Sequence, residues 1–279
     1  MTTSPHPWRV LREGSPAGGR PPGCVLAVDF GRSRSEAGFP ELTVHLDPAY
    51  TVLETVPPAL GVHDRRALSP ETYTRGWAEA LARRAEPVHA VLGYCMGAPL
   101  ARAVAAGLAA HQASAPTVVL FDPELPGPET LLAQFATSVE SLADELTGQE
   151  QEDALRHGRE ALDTRGPAAL AAALADRYRD LALLAFTRAE LGSELAAEAA
   201  DRFDRYLAYL LAGAGTAASP SSPPHVAVTS ATPGGAARYA ERVRTFDVPR
   251  QDLLRHPGVG RALSELLRAP AQSPLPEKA

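Results

Sequence analysis

Short apolar runs rich in β-branched residues punctuate this chain: CVLAVDF (24–30), LTVHL (42–46), TVLETV (51–56), VHAVLGY (88–94) and TVVLF (117–121). HVAVTSA (225–231) and RVRTFDV (242–248) return to the same texture after a long gap. Runs that are apolar on both faces, separated by helical stretches, predict strands of a mainly parallel sheet covered on both sides. The helices between them have readable starts. Ser69-Pro70 offers an N-cap followed by proline at the first helical position, and apolar residues recur at Tyr73, Trp77 and Leu81. Met96 to His111 places Leu100, Val104 and Leu108 on one face. The alternation predicts an α/β fold.

After Pro128 the texture changes, and residues 129–214 carry helical patterns almost throughout. TAASPSSPP (216–224) has the composition of a linker. The expected organisation is an irregular N-terminal segment (1–23), an α/β core (24–122 and 225–268), a helical insertion with its linker (123–224) and a flexible tail (269–279).

Composition removes several function classes. Against 27 basic residues stand 33 acidic ones, a net charge of −6, so nucleic acid and anionic membrane surfaces are not expected partners. No apolar stretch approaches the ~18–20 residues that span a bilayer, and the Pro- and Gly-rich N-terminus lacks the apolar centre of a signal peptide. A cytoplasmic protein is expected. Two cysteines, Cys24 and Cys95, make neither a disulfide framework nor a structural zinc site, and no metal is expected.

Gly93-Tyr94-Cys95-Met96-Gly97 stands between an expected strand and an expected helix. This G-x-C-x-G pattern is that of a nucleophile elbow with cysteine as the nucleophile. Glycines two before and two after the nucleophile fit a tight turn that crowds the neighbouring strand and helix. Such a turn lifts the thiol above the sheet edge at a helix N-terminus, where free N–H groups and the dipole favour thiolate. The Met96 N–H would face a developing oxyanion. The competing reading is a buried structural cysteine in a glycine-containing turn.

On these residues the sequence resembles α/β-hydrolases, specifically the thioesterases of polyketide and nonribosomal peptide assembly lines. The stretch ETYTRGWAEALARRAEPVHAVLGYCMGAPLARAVAAGLAA is similar to their helix, strand, elbow and helix, followed by TVVLFDP. The resemblance implies an α/β-hydrolase fold whose helical insertion is a lid that shapes an acyl pocket. It implies an acyl group carried as a thioester on phosphopantetheine, with no cofactor of the protein's own and an acyl or peptidyl carrier protein as partner. It also implies a catalytic acid at Asp122, 27 residues after Cys95 and at the end of the next strand. The family's base lies a few residues before an apolar pair and the final helix. Counting back from Leu253-Leu254 reaches Arg250, which is not histidine; the nearby candidate is His256, just before Pro257. Gly31, with Phe30 after the first strand, is the candidate second oxyanion donor. Arg156, Arg159, Arg177 and Arg179 of the insertion are available to an acidic carrier domain.

Cysteine suits acyl transfer or cyclisation as well as hydrolysis, because thioester exchange onto Cys95 is nearly isoenergetic. A thiol is also less dependent on a base than a serine hydroxyl. Three functions are therefore carried forward. They are a thioesterase-type acyl-transfer enzyme with a Cys95 acyl intermediate, a non-catalytic relative that binds an acyl chain or carrier, and a dienelactone-type hydrolase of small esters.

Overall fold

The computed structural model describes residues 7–15, 23–30, 36–64, 69–84, 86–215 and 225–268. The linker 216–224, the tail 269–279 and Gly31 lie outside them. Two compact units divide the chain: an α/β unit (1–56, 74–125 and 218–279) and a helical unit (57–73 and 126–217).

The α/β unit is built on a seven-stranded sheet of order β1-β3-β2-β4-β5-β6-β7. The strands are β1 (Trp8–Arg12), β2 (Gly23–Val28), β3 (Tyr50–Thr55), β4 (Val88–Tyr94), β5 (Thr117–Phe121), β6 (His225–Thr229) and β7 (Arg242–Thr245). All pairings are parallel except that of β1 with β3. β2, β3 and β4 are buried almost throughout, as strands covered on both faces must be. Helices α1 (Phe39–Thr43) and α8 (Pro257–Arg268) supply Phe39, Leu42, Val259 and Leu263 to one core, where they meet Val25, Leu92, Tyr94 and Phe121 of the sheet. Helices α2 (Pro70–Ala82) and α3 (Ala98–Ala109) begin as expected, with Ser69 Oγ accepting the Thr72 N–H at 3.4 Å and Pro99 in the first turn of α3.

Two elements differ from the sequence reading. LTVHL is not a strand: Phe39–Thr43 is helical and 44–46 form a turn. The buried residues Phe39, Leu42, Thr43 and Leu46 follow helical spacing, whereas Val44 is 77% exposed, so the apparent alternation was accidental. Pro40 in the first turn and the Glu41 carboxylate, which accepts the Gly38 N–H at 3.0 Å, start the helix. The 1–23 segment, read as irregular, contains β1. This edge strand is tied down by arginines rather than by an apolar pattern. Arg9 pairs with the buried Glu54, and Arg12 donates to the carbonyls of Leu46 (3.1 Å), Asp47 (2.6 Å) and Tyr50 (3.2 Å).

Helices α4 (Pro128–Glu140), α5 (Gly148–Thr164), α6 (Pro167–Arg188) and α7 (Ser193–Gly215) form the helical unit. Tyr178 and Phe203 pack with ring centroids 4.6 Å apart, and Phe135 joins Phe203 at 6.3 Å. Residues 57–73, which the sequence reading placed in the α/β core, cluster with this unit. There the Val62 N–H donates to Asp204 at 3.0 Å, and Tyr73 meets Tyr209 edge-on. A cavity of about 500 Å³ between α5 and α6 is lined by Asp153, Arg156, His157, Asp176 and Arg177 among others. That charged lining suits no acyl chain. Among the described residues no helix is long and apolar enough to cross a membrane.

Candidate active site

The strand order places a topological switch point between β2 and β4, since β3 lies on the far side of β2. In open α/β sheets the crevice beyond the carboxyl ends of the strands at such a point is where ligands bind. Register brings the candidate residues there. Tyr94 is paired with Phe121, so the next residues, Cys95 and Asp122, leave neighbouring strands side by side.

Both turn out of the sheet with positive φ, +50° for Cys95 and +39° for Asp122. Non-glycine residues enter this region at a cost of about 1–2 kcal/mol. The surroundings hold them there: the Glu124 N–H donates to the Cys95 carbonyl at 3.1 Å, and the Asp122 N–H to the Val228 carbonyl at 3.0 Å. Gly93 is required by space. A Cβ at that position would lie 2.8 Å from both Ala98 Cα and Ala101 Cβ. Gly97 is buried where the short turn Cys95–Gly97 passes into α3.

Asp122 is fully buried. Its Oδ1 accepts the Ser230 N–H at 2.9 Å, while its Oδ2 is buried with no hydrogen-bond partner. A catalytic acid would offer that second oxygen to a histidine. Instead, the Cys95 sulfur is met by Arg250, which opens the turn that follows β7 and donates through Nη2 to Sγ at 2.6 Å. Leu253 and Leu254, both fully buried, anchor this turn, so the position counted back from them does reach the site. His256 does not join it. Its ring packs against Phe246 at 5.8 Å, its Nδ1 is buried without a partner, and no hydrogen bond connects it to Cys95 or Asp122. It caps the turn before α8, six residues beyond the arginine that reaches the sulfur.

The electrostatics follow from this exchange. Burial pushes the Cys95 thiol up, the Arg250 guanidinium and the Met96 N–H pull it down, Glu124 and Glu36 push it up again, and the balance stands at about 11. Burial works against the Arg250 cation, but Cys95, Tyr94 and Asp122 outweigh it and raise its pKa above the ordinary value. Arg250 is therefore a fixed cation and no base. Its Nη1 lies 3.4 Å from Glu124 Oε1. The Tyr94 hydroxyl donates to Glu36 at 2.6 Å, and its pKa is raised by burial and by that carboxylate.

Sequence reasoning missed Glu36, Glu124 and Ser230, and gave Tyr94 no role beyond its place in the elbow. Other histidines among the described residues lie elsewhere: His45 is at the Arg255 carbonyl, His63 pairs with Asp176, His89 meets Tyr50 edge-on, and His111 bonds the Gly107 carbonyl. Of the insertion's arginines, Arg156 is paired with Asp153 at 2.7 Å and Arg179 with Asp201 at 3.4 Å, which neutralises them within their own unit.

No protein-family model matches the sequence, and no curated protein matches it. Solved structures do match the fold. The chain is similar to part of a holo four-domain nonribosomal peptide synthetase bound to AMP and glycine, with TM-score 0.58, 16% identity and 96% of this chain covered. It spans 20% of the length of that synthetase. It is also similar to the type II thioesterase BorB from the borrelidin biosynthetic cluster, with TM-score 0.50, 18% identity, 97% of this chain and 100% of that one. At these identities the likeness is one of fold, and the shared fold is the α/β-hydrolase fold.

Proposed function

We propose that Cys95 accepts acyl groups from carrier-protein- or CoA-bound thioesters, in an acyl-transfer enzyme of thioesterase type. The observation that carries this reading is the Arg250 guanidinium 2.6 Å from the sulfur of an elbow cysteine. The first step is thiol–thioester exchange. Cys95 sulfur bonds to the acyl carbon, the bond to the donor sulfur breaks, and the Cys95 proton leaves on the donor thiol. One thiol and one thioester become another thiol and another thioester, so the protein need not take up a proton. Arg250 stabilises negative charge on sulfur as it forms, and the Met96 N–H serves the carbonyl oxygen. In the second step the acceptor attacks the acyl-Cys95 carbonyl and its proton returns to the cysteine sulfur. Water, an internal hydroxyl or another acceptor differ only in what is released. Because Arg250 takes no proton, attack by water is unassisted and slow.

The likeness of fold to a nonribosomal peptide synthetase and a type II thioesterase supports a carrier-bound, phosphopantetheine-linked donor. A cytoplasmic setting suits two free cysteines. The test is intact-mass analysis after incubation with a small acyl thioester. One acyl mass on Cys95, absent from Cys95→Ala, is expected; no adduct, or an adduct on Cys24, overturns the reading. A second reading, a non-catalytic acyl- or carrier-binding protein, is favoured by Arg250 standing at the sulfur, with no histidine there among the described residues, together with a thiol held near 11. Carrier binding without any adduct over a broad thioester panel would establish it.

A further inference from the structure

We infer that Glu124 is a positioning residue for Cys95, a clamp that holds the Arg250 guanidinium on the sulfur. The inference deepens the acyl-exchange reading and rests on it for its consequence. Glu124 touches three parts of the site at once. Its N–H donates to the Cys95 carbonyl at 3.1 Å, its Oε2 accepts the Gly235 N–H at 3.3 Å, and its Oε1 faces Arg250 Nη1 at 3.4 Å. The backbone around it is fixed. Asp122 sits at φ +39°, and a Cβ on Gly234 would lie 2.5 Å from the Pro123 carbonyl oxygen. The carboxylate is thus anchored at both ends, while Arg250 is a long side chain, 30% exposed, whose rotamer must be chosen by something. Nη1 on Glu124 leaves Nη2 pointing at Sγ.

Glu124 acts on the sulfur in two opposed ways. Its charge disfavours the thiolate directly, and its grip on Arg250 favours the thiolate indirectly. The guanidinium touches the sulfur and the carboxylate does not, so the indirect effect is the larger. Glu36 faces the same sulfur from the segment before α1, the Met96 N–H meets it from the elbow, and Tyr94 and Asp122 act on Arg250. Tyr94, an elbow residue, also hydrogen-bonds Arg250; Glu124 adds to it the ion pair on Nη1 and the N–H on the Cys95 carbonyl.

The experiment is the pH dependence of Cys95 alkylation by iodoacetamide, followed by peptide mass analysis, in the full chain. Glu124→Ala is expected to slow alkylation at pH 8 by at least about threefold and to raise the half-point of the profile, because Arg250 leaves the sulfur. In an Arg250→Ala background the same substitution is expected to speed alkylation, since only the negative charge is then removed. Should Glu124→Ala fail to fold, Glu124→Gln carries the test, because glutamine offers one carbonyl oxygen to two donors. Faster or unchanged alkylation in the single variant, or equal slowing in both backgrounds, overturns the clamp. Alkylation uses no acyl substrate. An acyl adduct without this pattern therefore removes the clamp alone, and the pattern without an adduct removes the acyl-transfer reading alone.

Discussion

Arg250 Nη2 stands 2.6 Å from Cys95 Sγ, within the reach at which a general base would meet a nucleophile. A cation in that place can stabilise a thiolate and cannot accept a proton. Cysteine and arginine therefore make a matched pair, and serine would not match. Cys95→Ser is expected to lose acyl-adduct formation by at least about 10³-fold, since the hydroxyl needs a base that Arg250 does not supply. Time-resolved intact-mass measurement checks this, and a serine variant that acylates within about tenfold of the parent would show that another group serves as base.

The elbow depends on Gly93 for space rather than for backbone freedom. A methyl there meets Ala98 Cα, Ala101 Cβ and Leu120 Cδ2 at 2.8, 2.8 and 3.1 Å. The first contact is main chain and cannot rotate away. Gly93→Ala is expected to destabilise the protein by about 1–3 kcal/mol in urea unfolding. It should also slow Cys95 alkylation by displacing α3 from the end of β4. A variant of parental stability would mean that the helix shifts without cost.

Alkaline pH offers a test of burial. Burial pushes the Cys24 thiol up to about 12, with Arg84 opposing and Glu86 adding to the rise, and Cys95 stands near 11. Both hold their protons more tightly in the folded chain than in the unfolded one. The stability they contribute is therefore complete below about pH 9 and is lost as pH climbs toward 11 and 12. Each thiol ionised only in the unfolded chain tilts the unfolding free energy down by about 1.4 kcal/mol per pH unit. Urea unfolding between pH 9 and 10 should show the fall, and Cys24→Ala should make it shallower. An unchanged slope in that variant would show that Cys24 ionises in the folded protein.

Much of this architecture was legible because burial writes itself into composition. β4 and β5 are mostly apolar runs, β4 passing into the glycine-flanked elbow and β5 ending at Asp122, and the parallel sheet follows from such runs. β1 was illegible because arginines bonding to carbonyls leave no periodicity. LTVHL misled because five residues fit two periods, and only the exposure of Val44 separates them. At the site, Cys95 was a candidate from the elbow pattern and Asp122 from the resemblance, and the two follow the paired strand ends Tyr94 and Phe121. Arg250 was reached by counting back from Leu253-Leu254, but its contact with sulfur depends on the Glu124 ion pair and on a rotamer that no spacing encodes. His256 drew attention as the nearby histidine, and chemical type alone does not place a ring.

Replacing Arg250 by histidine tests whether the rest of a triad persists around the arginine. Asp122 keeps its Oδ1 on the Ser230 N–H and has an Oδ2 buried without a partner, oriented by the turn at φ +39°. An imidazole at position 250 would find an acceptor for one N–H and a thiol for the other nitrogen. Arg250→His is expected to assist the attack by water that is slow in the parent, raising hydrolysis of a small thioester by about 10²-fold. The rate should rise with pH through a midpoint near 6.5, as the neutral imidazole becomes the base. Arg250→Lys, which keeps the charge but stays protonated near neutral pH, should not gain hydrolysis, and Arg250→His/Asp122→Asn should lose most of the gain. Steady-state hydrolysis from pH 5 to 9 measures all three. A histidine variant no faster than the lysine variant would show that Asp122 supports the turn and nothing more.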